Sequence, residues 1–164
     1  MRELSAPALL ADQHVLDNFQ SGVPTLDDWL IRRARANQIA GASRVFVTCD
    51  NRKVVGYYAL ASSAVACGDA TGRMRRNMPD PIPVVVLARL AVDSGYQGRG
   101  IGQALVRDAA MRVLAAADQI GIRGLVVHAI SEQAKAFYLN LGLLPSPTND
   151  MTLMIPLGDL KANL

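Results

Sequence analysis

The sequence predicts a mixed α/β fold, a single domain over residues 1–164 in which helices cover a mixed sheet. Apolar residues make up 51% of the chain and charged residues 19%, as is typical of a globular domain of this length. A β-hairpin pattern precedes a second half in which strand-like and helix-like segments alternate. An apolar run over Val84–Val92, interrupted only by Arg89, predicts a central buried strand between these two parts.

The first element is predicted to be an edge segment, followed by a loop or short helix, over residues 1–24. Val15, Leu16 and Phe19 are expected to anchor it. A helix is then predicted to begin at Pro24, with Thr25 as its N-cap. Its later turns carry arginines, which form either a solvated face or part of a surface for a polyanion: Arg32, Arg33 and Arg35.

Two alternating segments predict the β-hairpin that follows. Arg44–Asp50 is the first strand, residues 51–53 form the turn, and Val54–Val65 is the second strand. Gly56, inside the second strand, is expected to mark a β-bulge.

A loop is predicted over residues 66–83, because three prolines and two glycines interrupt any regular pattern there. It carries Arg73, Arg75 and Arg76 close together. Long loops in compact domains are more often functional than not, although a basic solvated loop is the alternative.

The central strand ends in a glycine-rich segment, Gln97–Gly102, which we call the glycine turn. Its sequence is Gln-Gly-Arg-Gly-Ile-Gly, and it opens a helix predicted over Ile101–Ile120. Glycines allow positive φ, and the N–H groups at a helix start favour anions. The spacing therefore predicts a site for a pyrophosphate, with a plain β-to-α turn as the alternative.

The remaining elements are a strand over Gly124–Ile130, a helix from Ser131 to about Leu141, and a last strand over Met151–Pro156. His128 lies in an apolar run and is interpreted as a core histidine. A general-base role is not assigned to it, nor to Glu132.

Composition restricts the classes of protein. No apolar run approaches the ~20 residues of a membrane span, and the N-terminus has no secretory pattern. Cys49 and Cys67 have no metal-ligand spacing, so we expect reduced thiols, no metal and a cytoplasmic protein. The net charge is +3 and 14 of the 17 basic residues are arginine, which favours an anionic or nucleic-acid partner.

Three segments together resemble the GNAT superfamily of N-acetyltransferases: the glycine turn, the strand and helix from Val126 to Tyr138, and the closing Gly142–Leu153. The segment Arg75–Leu87 (RRNMPDPIPVVVL) more narrowly resembles the GNAT toxins of type II toxin–antitoxin modules, the TacT/AtaT type. The resemblance implies the GNAT fold, with a mostly antiparallel central sheet flanked by helices.

The resemblance also implies an activity and its partners. Such toxins transfer acetyl from acetyl-CoA to the α-amino group of an aminoacyl-tRNA, which blocks translation. The resemblance further implies a homodimer that a ribbon-helix-helix antitoxin neutralises. The toxin–antitoxin complex would act as a repressor and would contact DNA only through the antitoxin.

Roles for individual residues follow from the same resemblance. Tyr138 is expected to be the acid that protonates the CoA thiolate, although its helical spacing also suits a core tyrosine. The tRNA-binding arginines are expected to be Arg73, Arg75 and Arg76, with Arg32, Arg33 and Arg35 as further candidates. The expected acetyl-CoA contacts are those of the central strand and the glycine turn: Leu90, Ala91, Val92, Gln97, Gly98, Arg99, Gly100, Ile101 and Gly102.

Two alternatives remain open at this point. The first is a GNAT enzyme that acetylates a small-molecule or protein amine. The second is an inactive CoA-binding or DNA-associated regulatory module.

Overall fold

The computed structural model describes residues 3–163, so Met1, Arg2 and Leu164 of the predicted domain lie outside the described residues. Within them the strands are β1 (Ala8–Leu9), β2 (Arg44–Asp50), β3 (Lys53–Val65), β4 (Ile82–Val92), β5 (Gly124–His128), β6 (Leu144–Pro145) and β7 (Thr152–Pro156). The helices are α1 (Pro24–Arg32), α2 (Ala34–Ile39), α3 (Gly72–Arg75), α4 (Ile101–Ala116), α5 (Glu132–Asn140) and α6 (Leu157–Ala162), with short 3₁₀ turns at Cys67–Asp69 and Ser94–Tyr96.

The strands form one sheet in the order β1-β2-β3-β4-β5-β7-β6. β1–β2, β2–β3, β5–β7 and β6–β7 pair antiparallel, while β4 and β5 pair parallel over Val85–Leu87 and Leu125–Val127. The predicted mixed, mostly antiparallel sheet with flanking helices is therefore confirmed.

Contacts within the chain divide it into two compact units, each made of two separate stretches of sequence. The first unit contains the residues up to Ala61 together with Ala88–Ala109. The second unit contains Ser62–Leu87 together with the residues from Ala110 onward. The single-domain interpretation stays a prediction.

The core of the first unit is built around Tyr57 of β3, which is fully buried. Trp29 stacks on its ring at 6.0 Å between centroids, and Phe19 meets it edge-on at 5.6 Å. The Tyr57 hydroxyl donates a hydrogen bond to the Leu26 carbonyl at 2.7 Å. These contacts hold α1 and the N-terminal segment against the β2–β3 hairpin.

The predicted bulge lies next to Gly56. Thr48 pairs with Gly56 and Cys49 with Val54, so Val55 is the extra residue. A Cβ on Gly56 would lie 3.1 Å from a methyl of Leu105, so the glycine allows the start of α4 to approach β3 closely.

The second unit packs α3 against β5 and β7. A Cβ on Gly124 would lie 2.3 Å from the Ile155 carbonyl oxygen and 2.8 Å from the Met74 sulfur. Met74 is fully buried in an apolar cluster, whose other buried members are Ala70, Ile82, Val84, Val126 and Met154. The buried side chain of α3 therefore fixes the position of the arginines on either side of it.

Several element boundaries differ from the predictions. Val23, not Thr25, is the N-cap of α1, and no side chain caps the helix. Asp27 instead accepts hydrogen bonds from the Ser21 amide and hydroxyl, and this carboxylate holds the chain at the helix entry. The predicted anchor Val15 is 42% exposed, whereas Leu16 and Phe19 are buried as expected.

Later boundaries are shorter than predicted. α4 ends at Ala116 rather than Ile120, which is 61% exposed, and β5 ends at His128 rather than Ile130. α3 and α6 were not predicted, because helices of four and six residues are too short to show helical periodicity.

Candidate functional site

Asp93 shapes the turn that follows the central strand. Its buried carboxylate accepts a hydrogen bond from the Gly95 amide at 3.0 Å through one oxygen. Through the other it accepts a bond from the Gln20 amide at 3.1 Å. The side chain thus fixes the end of β4 against the N-terminal segment, just before the glycine turn.

The Gln97 side chain donates hydrogen bonds to two backbone carbonyls of the first unit. Its Nε2 donates to the Ser21 carbonyl at 2.8 Å and to the Val92 carbonyl at 2.9 Å. Gln97 therefore ties the glycine turn to the end of β4 through its side-chain Nε2, while its backbone N–H belongs to the glycine turn.

Gly98 and Gly100 give the glycine turn its shape. Their φ angles are +79° and +78°, a region that disfavours side chains, and no atom lies within 4 Å of the point that a Cβ would occupy at either residue. Both residues are exposed, and the 16-residue helix α4 begins directly after them at Ile101. Exposed amides in front of a helix N-terminus form an anion site, so this geometry suits a phosphate group.

Cationic side chains lie beside the glycine turn around Tyr96. The Arg99 guanidinium lies 5.1 Å from the Tyr96 ring centroid and the Lys53 ammonium 5.7 Å. The Tyr96 hydroxyl donates to Asp50 at 2.7 Å, and this hydrogen bond raises the pKa of Tyr96. Two cationic groups therefore lie against the ring of Tyr96, the residue that directly precedes the glycine turn.

The last residues of β4 precede the turn. Ala91 is buried, and Leu90 and Val92 are half-buried. The guanidinium of their neighbour Arg89 lies 4.5 Å from the centroid of the Trp29 ring. The first unit thus brings together all the residues predicted to bind acetyl-CoA.

Tyr138 lies on α5 in the second unit. Ser131 caps this helix as predicted, its Oγ accepting a hydrogen bond from the Ala134 amide at 3.1 Å. The Tyr138 side chain is buried and meets the Phe137 ring edge-on at 5.1 Å. Burial raises the pKa of Tyr138 to about 12, so the phenol is protonated at neutral pH and can donate a proton.

The three arginines of the predicted loop differ in their surroundings. The Arg73 guanidinium binds the Asp159 carboxylate of α6 through two contacts, at 2.5 and 2.8 Å. Arg123 in turn donates to the Met74 carbonyl at 3.0 Å, which fixes the α3 backbone. Arg75 and Arg76 are both exposed. The structure thus ties Arg73 to its own chain and presents Arg75 and Arg76 at the surface.

The arginines near α1 do not share one helix, contrary to the prediction. The helix breaks at Arg33, which lies between α1 and α2, and Arg32 and Arg33 are exposed. The Arg35 guanidinium donates to the His14 carbonyl at 2.6 Å and to the Ala11 carbonyl at 3.3 Å. Arg35 therefore holds the N-terminal segment.

The core interpretation of His128 is wrong, because the residue is exposed at the end of β5. Its Nδ1 lies 2.9 Å from the hydroxyl oxygen of Thr152, the residue opposite it on β7. The apolar run misled the sequence interpretation, since the strand ends at His128 itself instead of continuing to Ile130.

Metal-binding clusters and membrane-spanning helices are both absent from residues 3–163. No group of three or more His, Cys, Asp or Glu side chains in this range could hold a metal ion. No helix in the same range is both long and apolar enough to cross a membrane.

Comparison with known proteins gives this geometry a context. Residues 41–142 match the family model described as an acetyltransferase (GNAT) domain. A tRNA-acetylating toxin of Mycobacterium tuberculosis (strain ATCC 25618 / H37Rv) is 51% identical over 162 residues, which cover 99% of this chain and 98% of the toxin.

Solved structures of toxins superpose closely on the chain. AtaT complexed with acetyl-methionyl-tRNAfMet has a TM-score of 0.90 at 30% identity, with 98% of each chain covered. A tyrosine-to-phenylalanine mutant of AtaT, bound to the C-terminus of the antitoxin AtaR and to acetyl-CoA, has a TM-score of 0.83 at 30% identity, with 97% of this chain and 96% of that chain covered.

Proposed function

The chain belongs to the GNAT family of acetyltransferases, and from this we propose that it transfers acetyl from acetyl-CoA to the α-amino group of an aminoacyl-tRNA. The observation that carries the proposal is the similarity to a tRNA-acetylating toxin over nearly the whole chain. The fit of the glycine turn to a phosphate-bearing donor supports it.

Acetyl-CoA is held by the end of β4 and the glycine turn. Backbone groups of Leu90, Ala91 and Val92 bond the pantetheine arm, and one strand N–H polarises the thioester carbonyl. The pyrophosphate lies against the backbone N–H groups of Gln97–Gly102, with the Arg99 charge beside them. The open space over Gly98 and Gly100 supports this assignment, since it leaves their amides accessible to a phosphate.

Tyr138 supplies the proton that the departing CoA thiolate needs. Its buried phenol, whose pKa is raised to about 12, stays protonated over the whole physiological range. A tyrosine in this state suits a general acid and cannot serve as the base in the same step.

The acceptor is an amine with a modest proton affinity. A free α-amino group has a pKa of ~7.7–8.0, against ~10.4 for a lysine side chain. An α-amine is therefore partly neutral at pH 7, whereas a lysine ammonium needs strong help to lose its proton. This difference favours the aminoacyl group of a charged tRNA over lysine side chains of proteins.

Exposed arginines bind the phosphates of the tRNA. Arg75 and Arg76 are the principal contacts, since both are exposed and directly follow the buried Met74. Arg73, Arg32 and Arg33 are further contacts, while the backbone bonds of Arg35 make its contribution the weakest of the set.

The biological consequence is arrest of translation, because an acetylated amine cannot accept a peptide. The reaction then takes place in the cytoplasm, where charged tRNA is found. We extend the proposal to the partners that this toxin type implies: a homodimer and a ribbon-helix-helix antitoxin, whose complex with the toxin binds DNA and represses its own promoter.

The direct test offers the purified protein and acetyl-CoA three acceptors: charged tRNA, the same tRNA without its amino acid, and a lysine peptide. Acetylated aminoacyl groups, released from tRNA and identified by mass, are expected with charged tRNA alone. A faster reaction with the peptide or a free amine would support the alternative GNAT enzyme. Acetyl-CoA binding without any transfer would support a regulatory module.

A further inference from the structure

His128 is an exposed imidazole with one nitrogen held in place. Thr152, its hydrogen-bond partner, is buried, so the 2.9 Å contact holds Nδ1, and Nε2 is the ring nitrogen that this contact does not use. The hydroxyl can accept a bond from Nδ1–H, and in that tautomer Nε2 carries the lone pair that a base requires.

The position of His128 in the sheet relates it to the arginine-bearing helix. Side chains two residues apart on a strand share a face, so His128 lies on the same face of β5 as Val126. Val126 packs in the cluster that contains Met74, the buried residue of α3. His128 is therefore two residues along β5 from Val126, a member of the apolar cluster that positions Arg73 and Arg75.

His128 also lies where β5 ceases to pair with β4. The parallel pairing covers Val85–Leu87 and Leu125–Val127, and β4 continues to Val92. The first residue of β5 beyond the last pair is thus His128. In parallel sheets, ligands gather at the carboxyl ends of strands, which is where this imidazole is placed.

We propose that His128 is the proton acceptor for the α-ammonium group of the aminoacyl-tRNA, acting through Nε2, with Thr152 as the positioning residue. This inference rests on the proposed function and assigns the acceptor side of the reaction to a residue. It gives the transfer a base and an acid on different side chains, His128 and Tyr138.

Two protons leave the acceptor nitrogen in this reaction. The ammonium gives the first to Nε2 of His128, and the freed nitrogen lone pair attacks the thioester carbonyl carbon. The carbon–sulfur bond breaks, and the thiolate leaves with the electron pair and takes a proton from Tyr138. The nitrogen loses its second proton as it becomes an amide. That proton replaces the one that Tyr138 gave, and the proton on His128 passes to solvent.

The charged groups on the elements around His128 are few. β7 has none, and β4 has Arg89, whose guanidinium lies on the Trp29 ring. α5 carries Glu132 and Lys135, and Lys135 bonds Asp150 at 3.4 Å in the turn before β7. α3 carries Arg73 and Arg75.

The test is the pH dependence of acetyl transfer to charged tRNA, measured in single turnovers between about pH 6.5 and 8.5. For His128→Gln we expect a loss of about 10²-fold at about pH 6.5, the lower end of the range for a general base. The loss should shrink to within about 5-fold at about pH 8.5, because most of the α-amine is then already neutral. Thr152→Val should show a weaker form of the same profile, and Thr152→Ser should restore the wild-type profile.

His14→Gln is the matched control, since His14 is the other histidine of the chain and lies in the first unit. It should keep the wild-type pH profile. Acetyl-CoA affinity and melting temperature of His128→Gln, measured in parallel, should match the wild type.

Two results would overturn the proposal: no loss in His128→Gln, or a loss of the same size at every pH. If the wild type acetylates a different amine instead of charged tRNA, the proposed function is wrong, and that result alone does not contradict the role of His128. The His128 profile is then measured with that amine, with the same expected and contrary results.

Discussion

At the scale of single residues, the surroundings of a side chain separate structural from chemical roles. Arg35 and Arg73 bind carbonyls and a carboxylate of their own chain, whereas Arg75 and Arg76 are exposed. The sequence makes these arginines look alike. Only the folded chain shows which guanidinium groups remain at the surface for a partner.

Tyr138→Phe tests the proposed acid. The substitution keeps the ring that packs on Phe137, so the fold and acetyl-CoA affinity should be unchanged. Without the hydroxyl, kcat should fall roughly 10²–10⁴-fold, as is usual for loss of a general acid. The measurement is single-turnover acetylation of charged tRNA, beside calorimetric titration with acetyl-CoA.

Phe137→Leu is a suitable companion variant, because Phe137 is half-buried and contacts the Tyr138 ring. It should lower stability while retaining most of the acetylation rate. Equal rates for Tyr138→Phe and the wild type would remove Tyr138 from the mechanism and leave it a core tyrosine.

At the scale of elements, the sequence predicted the helices, strands and turns that are determined by hydrophobic periodicity and by turn-forming residues. The β2–β3 hairpin, the glycine turn and the Ser131 cap are all present, since each depends on residues close together in sequence. What it missed depends on distant partners. No glycine or proline marks the break at Arg33, and α6 is held by contacts such as the hydrogen bond from the Leu157 amide to the Arg123 carbonyl at 3.0 Å.

His128 is the clearest case for the candidate site. All the other residues in the run from Leu125 to Ile130 are apolar, so the local pattern favoured burial. Its exposure is decided by where β5 ends and by Thr152, 24 residues away in sequence. No local pattern carries that information.

The glycine turn makes a prediction at this scale. Gly98→Ala with Gly100→Ala should weaken acetyl-CoA binding about 10-fold or more, because each alanine disfavours the positive φ that aims the amides by ~1–2 kcal/mol. Space is not the cause, since nothing lies within 4 Å of either Cβ position. The change is measured as the acetyl-CoA dissociation constant.

Gly121→Ala is the matched control, because Gly121 is equally open but has no positive φ. It should bind acetyl-CoA like the wild type. If the double variant kept wild-type affinity, the turn would be an ordinary β-to-α connection and the phosphate site would lie elsewhere.

At the scale of the whole molecule, the net charge of +3 is only a modest basic excess, so we expect the placement of the arginines to decide tRNA binding. Arg75→Ala with Arg76→Ala should weaken tRNA binding and reduce the slope of log affinity against log salt by about 1–2. Acetyl-CoA affinity should not change. Binding of charged tRNA is measured between about 50 and 300 mM salt, over which the screening length falls by about 2.5-fold.

Arg44→Ala with Arg107→Ala removes the same charge from two other exposed arginines, which lie in the first unit. That variant should keep most of the wild-type slope. Identical slopes for both double variants would mean that Arg75 and Arg76 contribute only to the overall charge.

The interleaving of the two units along the chain has a consequence for the order of synthesis on the ribosome. The last stretch of the first unit ends at Ala109, while the second unit needs residues from Ala110 onward. A growing chain therefore contains every residue of the glycine turn before Tyr138 or His128 has been made. A nascent chain of this protein can therefore fold its proposed donor site before it carries the side chains of its proposed chemistry, so acetyl-CoA binding and acetyl transfer can be acquired in that order during synthesis.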